Sequence, residues 1–236
     1  MKLPRYGGLP YDISHFRPRV FPIILQVYIE MIPMKRFLRV LIWVLSPILL
    51  IWLALTLWVQ QPRAMASWTT EPEGEKGKAL ILYNPDPIYD LDAQLARAFS
   101  EGLASQGWAS EVAAYETFQD SIPPQQDLCI LIANTYNWAP DWPTRHFIER
   151  ASWLEGQPVV ALTLGSGATG RSQRFLEEVL EARRVVLKGS RTYWLLRPND
   201  ESRPGEPNVR VARDLVRTWA GHLAAELEKH SGNLSN

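Results

Sequence analysis

The sequence predicts an α/β domain with a doubly wound, five-stranded parallel sheet, preceded by one transmembrane helix. Two observations carry this. From residue 78 onward, short continuous apolar runs alternate with amphipathic stretches, as in parallel strands covered on both faces by crossover helices. Ahead of them, Val40–Val59 reads "VLIWVLSPILLIWLALTLWV", twenty residues without a charge.

As a helix this segment spans about 30 Å, the thickness of a bilayer's hydrocarbon core. Pro47 is tolerated there because lipid-embedded helices re-satisfy a freed carbonyl locally. Trp43 and Trp58 stand near the two ends, where amphipathic rings favour the interface. Lys35, Arg36 and Arg39 crowd the N-terminal flank, whereas Arg63 is almost alone beyond the other. The positive-inside rule then predicts a single-pass membrane protein, N-terminus cytoplasmic and domain extracytoplasmic, in the periplasm if the source is bacterial. "AMA" at Ala64–Ala66 has the form of a signal-peptide cleavage site, but twenty apolar residues exceed the usual h-region of about 7–15. An uncleaved signal anchor is therefore favoured over cleavage after Ala66.

The expected division is a tail over 1–36, the transmembrane helix over 37–60, a linker over 61–77 and a folded domain over 78–230. The tail is rich in Pro, Gly and Arg and has no helical or strand period, while Met34 opens "MKRFLRVLIWVL" like an ordinary anchor sequence. Translation starting at Met34 is one reading; a short disordered cytoplasmic tail is the other.

Within the domain, strands are expected at Ala79–Tyr83, Val112–Tyr115, Leu128–Ala133 and Val159–Leu164. A fifth is split between Val185–Leu187 and Tyr193–Leu196. Leu91, Leu95, Phe99 and Leu103 recur every four residues and Gly107 follows as a stop, which predicts a helix. Further apolar faces follow at Phe147–Leu154, Phe175–Leu180 and Ala212–Leu223. "FQDSIPPQQ" at 118–126 holds too much proline for a full helix, so one crossover is expected to be short or irregular.

With 25 basic and 25 acidic side chains the net charge is zero, and no nucleic-acid partner is suggested. Cys129 is the single cysteine, which excludes an internal disulfide or a CxxC site. In "LCILIA" it reads as a small hydrophobe. His15, His146, His222 and His230 lack metal-ligand spacing, and Ser166 lacks the leading glycine of a nucleophile elbow. "EARR" and "KGSR" at 181–191 read as a solvated basic face.

Doubly wound sheets bind ligands beyond the carboxyl ends of their strands, so the loops 84–90, 134–143 and 165–172 become the candidate site. "ANTYNWAPDWP" offers Tyr136, Trp138 and Trp142 among Asn134, Thr135 and Asn137, rings that stack on a heterocycle or pack against a protein partner. "LGSGATGRSQRF" places Gly165, Gly167 and Gly170 ahead of a helix, where backbone N–H groups approach a ligand. Their GxGxxG spacing sits on the fourth strand, without an acidic residue near Ser190 to hold a ribose, so a dinucleotide site is the weaker reading.

The stretch "DLCILIANTYNWAPDWPTRHFIERASWLEGQPVVALTLGSGATGRSQRFLEEVL" resembles the central part of the flavodoxin-like superfamily, especially its flavodoxin and NADPH-dependent FMN reductase branches. The likeness covers roughly residues 78–228. It implies FMN binding and electron or hydride transfer, an oxidoreductase chemistry; with the anchor, a membrane redox partner is the expectation. By position it implies Thr135, Tyr136, Asn137 and Trp138 flanking the flavin ring, with Gly165, Ser166 and Gly167 along its other edge. In that family the first loop is rich in Ser, Thr and Gly around the FMN phosphate, whereas this chain has "NPDPIYD". Pro85 and Pro87 donate no N–H bond, and Asp86 meets a phosphate with like charge. Asp90 is expected to cap the helix. Asn84 and Tyr89 remain as donors. A domain exported unfolded would also have to acquire its flavin outside the cytoplasm, beyond the reach of cytosolic NADPH. The alternative is a cofactor-less binding or scaffold module of the same fold at the membrane.

Overall fold

The structure, a computed structural model, describes residues 34–72, 76–118, 123 and 125–234. Residues 1–33 of the expected tail, and 119–122 and 124 of the expected crossover, lie outside the described residues. Helix α1, Met34–Val59, has a window of mean hydropathy 2.5 with none of it buried, and is long and apolar enough to cross a membrane. The chain divides into two compact units at Ala54/Leu55. The second holds the α/β domain.

Its strands are β1 (Trp68–Thr70), β2 (Gly77–Tyr83), β3 (Trp108–Ala114), β4 (Leu128–Tyr136), β5 (Ala139–Pro140), β6 (Pro158–Gly165) and β7 (Val186–Trp194). The helices are α2 (Leu91–Ala104), α3 (Trp142–Arg150), α4 (Gly170–Ala182) and α5 (Asn208–Leu234). The sheet runs β1-β3-β2-β4-β6-β7, with β5 hairpinned onto β4. Strands β3, β2, β4, β6 and β7 are all parallel. Counted alone, they have the order 2-1-3-4-5, the flavodoxin-like form of the doubly wound sheet.

Alternate residues of β2 explain the layers. Ala79, Ile81 and Tyr83 face a core completed by Leu95, Phe99 and Leu103 of α2 and by Val216 and Ala220 of α5. Leu80 and Leu82 face Phe147 and Ile148 of α3 and Leu176 and Leu180 of α4. Each buried Leu, Ile or Phe contributes about 1.5–3 kcal/mol relative to exposure. Burial on both faces produces the continuous apolar runs seen in the sequence. Cys129 belongs to the second core, and burial pushes its thiol pKa up.

Three details differ from expectation. The fifth strand is continuous rather than split: β7 is a sheet edge, where Lys188 is exposed, Ser190 accepts from Gln173 Nε2 at 3.1 Å and Arg191 stacks on the Trp219 ring. Gly189 lies within it because a Cβ there would meet the Trp219 ring at 2.8 Å. A sixth strand, β1, pairs antiparallel on the outer side of β3 within the expected linker. Three residues carry no readable period, but Ser100 Oγ lies 2.7 Å from Thr70 Oγ1 and 2.6 Å from Ser110 Oγ, tying it in place. Finally, 134–143 is not a loop: β4 continues to Tyr136 and turns directly into β5.

Candidate functional site

The carboxyl ends of β2, β4 and β6 bring the three predicted segments together around a cleft of about 210 Å³. Asp86, Tyr89, Thr135, Tyr136, Gly165 and Ser166 line it. Leu91, Leu195 and Leu196 complete the wall. The two leucines just past β7 were not legible as site residues, because only the register of an edge strand brings them there. Leu195 N donates to Gly165 O at 2.9 Å and Leu196 N to Ser166 O at 3.1 Å, extending the β6–β7 ladder into the glycine-rich turn.

The other sequence-predicted residues fall elsewhere. Asn84 is buried and engaged outside the cleft: its Nδ2 donates to Gln61 O (3.2 Å) and its Oδ1 accepts from Arg63 N (2.8 Å). Asn137 and Trp138 form the tip of the β4–β5 hairpin, beyond the cleft wall. Gly167 and Gly170 lie along the turn without lining the cleft. Gly165 serves packing as well, since a Cβ there would meet Thr169 Cγ2 at 2.6 Å.

The hairpin tip is strained. Asn137 has φ 52° and Trp138 φ 61°, so both central residues of a two-residue connection are left-handed, as in a type I′ turn. Asn suits this position; Trp does not, and the left-handed region costs a non-glycine residue roughly 1–2 kcal/mol. Trp138→Gly is therefore expected to stabilise the domain by about 1 kcal/mol, raising Tm by about 2–4 °C. A lower Tm in thermal denaturation would contradict this account of the turn.

Asp86 decides the chemistry of the first loop. Residues 85–89 carry three backbone N–H groups, since Pro85 and Pro87 have none, and all three are taken. Ile88 N and Tyr89 N donate to Asp86 Oδ1 at 2.7 and 3.1 Å. Asp86 N donates to Asp92 Oδ2 at 2.7 Å. Tyr136 OH donates to Asp86 Oδ2 at 2.7 Å. The side chain of Asp86 thus fills, from within the chain, the place an anion would take at this turn.

Two further carboxylates lie behind it. Asp92, buried at the start of α2, accepts from Asn134 Nδ2 at 3.0 Å and from Ala93 N at 2.7 Å. Burial raises its pKa to about 6 against the opposing hydrogen bonds, with the Asp86 charge adding to the rise. Asp141 caps α3 through Thr144 N (2.9 Å) and accepts from Asn134 N (2.8 Å). Burial raises it to about 6 as well. Burial, then the bond to Asp86, pushes the Tyr136 phenol up, so it remains a donor at physiological pH.

An FMN phosphate does not fit this arrangement. The backbone N–H groups of Asp86, Ile88 and Tyr89 are already engaged, no Lys or Arg lines the cleft among the described residues, and a dianion would face Asp86 with Asp92 behind it. The cleft is also smaller than the roughly 300–1,000 Å³ usual for cofactor-sized ligands. It can take a small neutral or cationic group, with Asp86 and the Ser166 hydroxyl as partners and leucines as walls.

No family model and no curated protein matches the chain. Among solved structures it is similar to a flavodoxin from the domain Archaea, at 12% identity and TM-score 0.46, covering 64% of this chain and 99% of that one. It is similar to a WrbA-like flavodoxin protein from Agrobacterium tumefaciens at 11% identity and TM-score 0.47, covering 66% and 99%. It is also similar to rubredoxin oxygen:oxidoreductase from Desulfovibrio gigas, at 14% identity and TM-score 0.49, covering 66% of this chain and 37% of that one. At such identities the likeness concerns the fold alone, and the strand order independently makes that fold flavodoxin-like.

Proposed function

We propose that this chain is a membrane-anchored binding module that uses the flavodoxin-like fold without FMN. Val40–Val59 anchors it with the N-terminus in the cytoplasm and the domain outside, as the Lys35, Arg36 and Arg39 flank supports. The cleft at the carboxyl edge takes a small neutral or cationic group, on a ligand or on a protein partner. One observation carries the reading: the Asp86 carboxylate accepts the N–H groups of Ile88 and Tyr89 and the hydroxyl of Tyr136.

A second reading keeps flavin-linked electron transfer with a membrane redox partner. It is favoured by the convergence of Thr135, Tyr136, Gly165 and Ser166 on one cleft, four of the seven residues that flank a flavin ring by resemblance. Titration of the full chain in detergent with FMN and with riboflavin, followed by flavin fluorescence, separates the two. The expected result is no change with FMN. Stoichiometric quenching by FMN would overturn the proposal. Quenching by riboflavin alone would show a ring site that lacks a phosphate site. If the ring site exists, Asp86→Ser should then admit FMN, because it removes the like charge and frees Ile88 N and Tyr89 N.

A further inference from the structure

We infer that the carboxyl edge of the sheet, and the cleft within it, lies in the lipid–water interface of the membrane that holds the anchor. The inference rests on the anchor and is independent of what the cleft binds. Its first ground is how the chain enters the domain. Leu55–Gln60 belong to the same compact unit as the sheet, and they are fastened to its carboxyl edge. Asn137 Nδ2 donates to Thr56 Oγ1 at 3.4 Å, and Trp142 N donates to Gln60 Oε1 at 2.7 Å. Val59 and Gln60 are buried. Within three residues Arg63 N is bonded to Asn84, at the end of β2. The apolar segment that ends at Val59 therefore leads into the domain at this edge.

The second ground is what the edge exposes. Leu196 is 78% exposed, Trp138 61%, Ile88 55% and Tyr89 53%. They come from three separate segments, after β2, between β4 and β5, and after β7, yet share one end of the sheet. Trp and Tyr concentrate where an apolar ring meets water, and exposed apolar groups gathered on one surface mark an interaction site. The strained Trp138 fits the same role, since a left-handed turn keeps its ring at the hairpin tip. Arg63 adds an interfacial pairing: its guanidinium lies 5.3 Å from the centroid of the Trp58 ring. Asp86 and Asp90 share this edge with Arg63 and Arg197, and such a mixed-charge surface suits zwitterionic headgroups.

The cleft then opens toward headgroups and upper acyl chains, and its occupant reaches it from the membrane side. Asp86 and Ser166 would meet the polar part of an interfacial molecule, and Leu91, Leu195 and Leu196 its apolar part.

The test uses the full chain in phosphatidylcholine nanodiscs. Nitroxide labels are placed singly through Ile88→Cys and Leu196→Cys on the edge and through Ala182→Cys at the opposite end of the sheet. Cys129 is buried, which leaves it unlabelled. Power saturation compares collisions with oxygen, which partitions into lipid, and with a neutral nickel chelate, which stays in water. The expected oxygen-to-nickel ratio is several-fold higher at 88 and 196 than at 182. A ratio at either edge position equal to that at 182 overturns the inference. So does low access to both reagents at 88 and 196, the mark of a second copy covering the edge.

Discussion

Asp141→Ala is expected to cost about 3–5 kcal/mol, a large part of the roughly 5–15 kcal/mol that holds a domain folded. Asp141 is fully buried and accepts Thr144 N at 2.9 Å, Thr144 Oγ1 at 2.8 Å and Asn134 N at 2.8 Å. Alanine leaves three buried donors without partners and removes the cap of α3; caps alone are worth about 1 kcal/mol. Asn134 then loses its fixed position, and with it the link to Asp92 and to the backbone oxygen of Asn84. The damage therefore reaches the candidate site as well as the helix. Urea denaturation of the full chain in detergent measures it. A loss below about 1 kcal/mol would mean these donors find other partners and that Asp141 does not organise the edge.

The domain is also expected to be more stable at pH 4.5 than at pH 7.5. Asp92 and Asp141 both have folded pKa values raised by burial to about 6, against about 3.9 for an unfolded Asp. Between those values the unfolded chain has released protons that the folded chain still holds, so stability falls as pH rises. The contribution of these groups is fully present below about pH 4 and is lost as pH passes through 6. At about 1.4 kcal/mol per pH unit, each group removes roughly 3 kcal/mol. The surface pairs act with the opposite sign: hydrogen bonds to Ser202 and to Arg203 lower the pKa of Asp200 and of Glu206 respectively, which favours the fold only as pH rises through the acid range. Thermal unfolding at several pH values checks the balance, and Asp92→Asn should remove about half of the slope. A pH slope of Tm that Asp92→Asn leaves unchanged would show that the buried Asp92 carboxyl ionises without penalty.

What the sequence revealed follows from burial. Strands β2, β4 and β6 were legible because both faces are covered, so nearly every residue is apolar. Strand β7 was legible only at its ends, since Lys188 to Thr192 mix polar residues that an edge strand accepts. The hairpin was hidden for a different reason. Asn137 is a good type I′ residue, but Trp138 stands where Gly usually signals the turn. At the site, "NPDPIYD" already showed two prolines and a like charge against a phosphate. That Asp86 itself occupies the N–H groups of Ile88 and Tyr89 depends on a three-residue turn that no spacing rule predicts. Leu195 and Leu196 entered the cleft through the pairing of β7 with β6, information that exists only in the folded register.

The central claim is that an internal carboxylate has taken the place of the FMN phosphate. The most direct measurement is the absorbance spectrum of the full chain purified from native membranes in detergent. The account predicts a protein without flavin bands at any stage. Flavin absorbance that stays with the chain through gel filtration would contradict it. It would also require the loop from Pro85 to Asp90 to release Asp86 from Ile88, Tyr89 and Tyr136 when the cofactor binds.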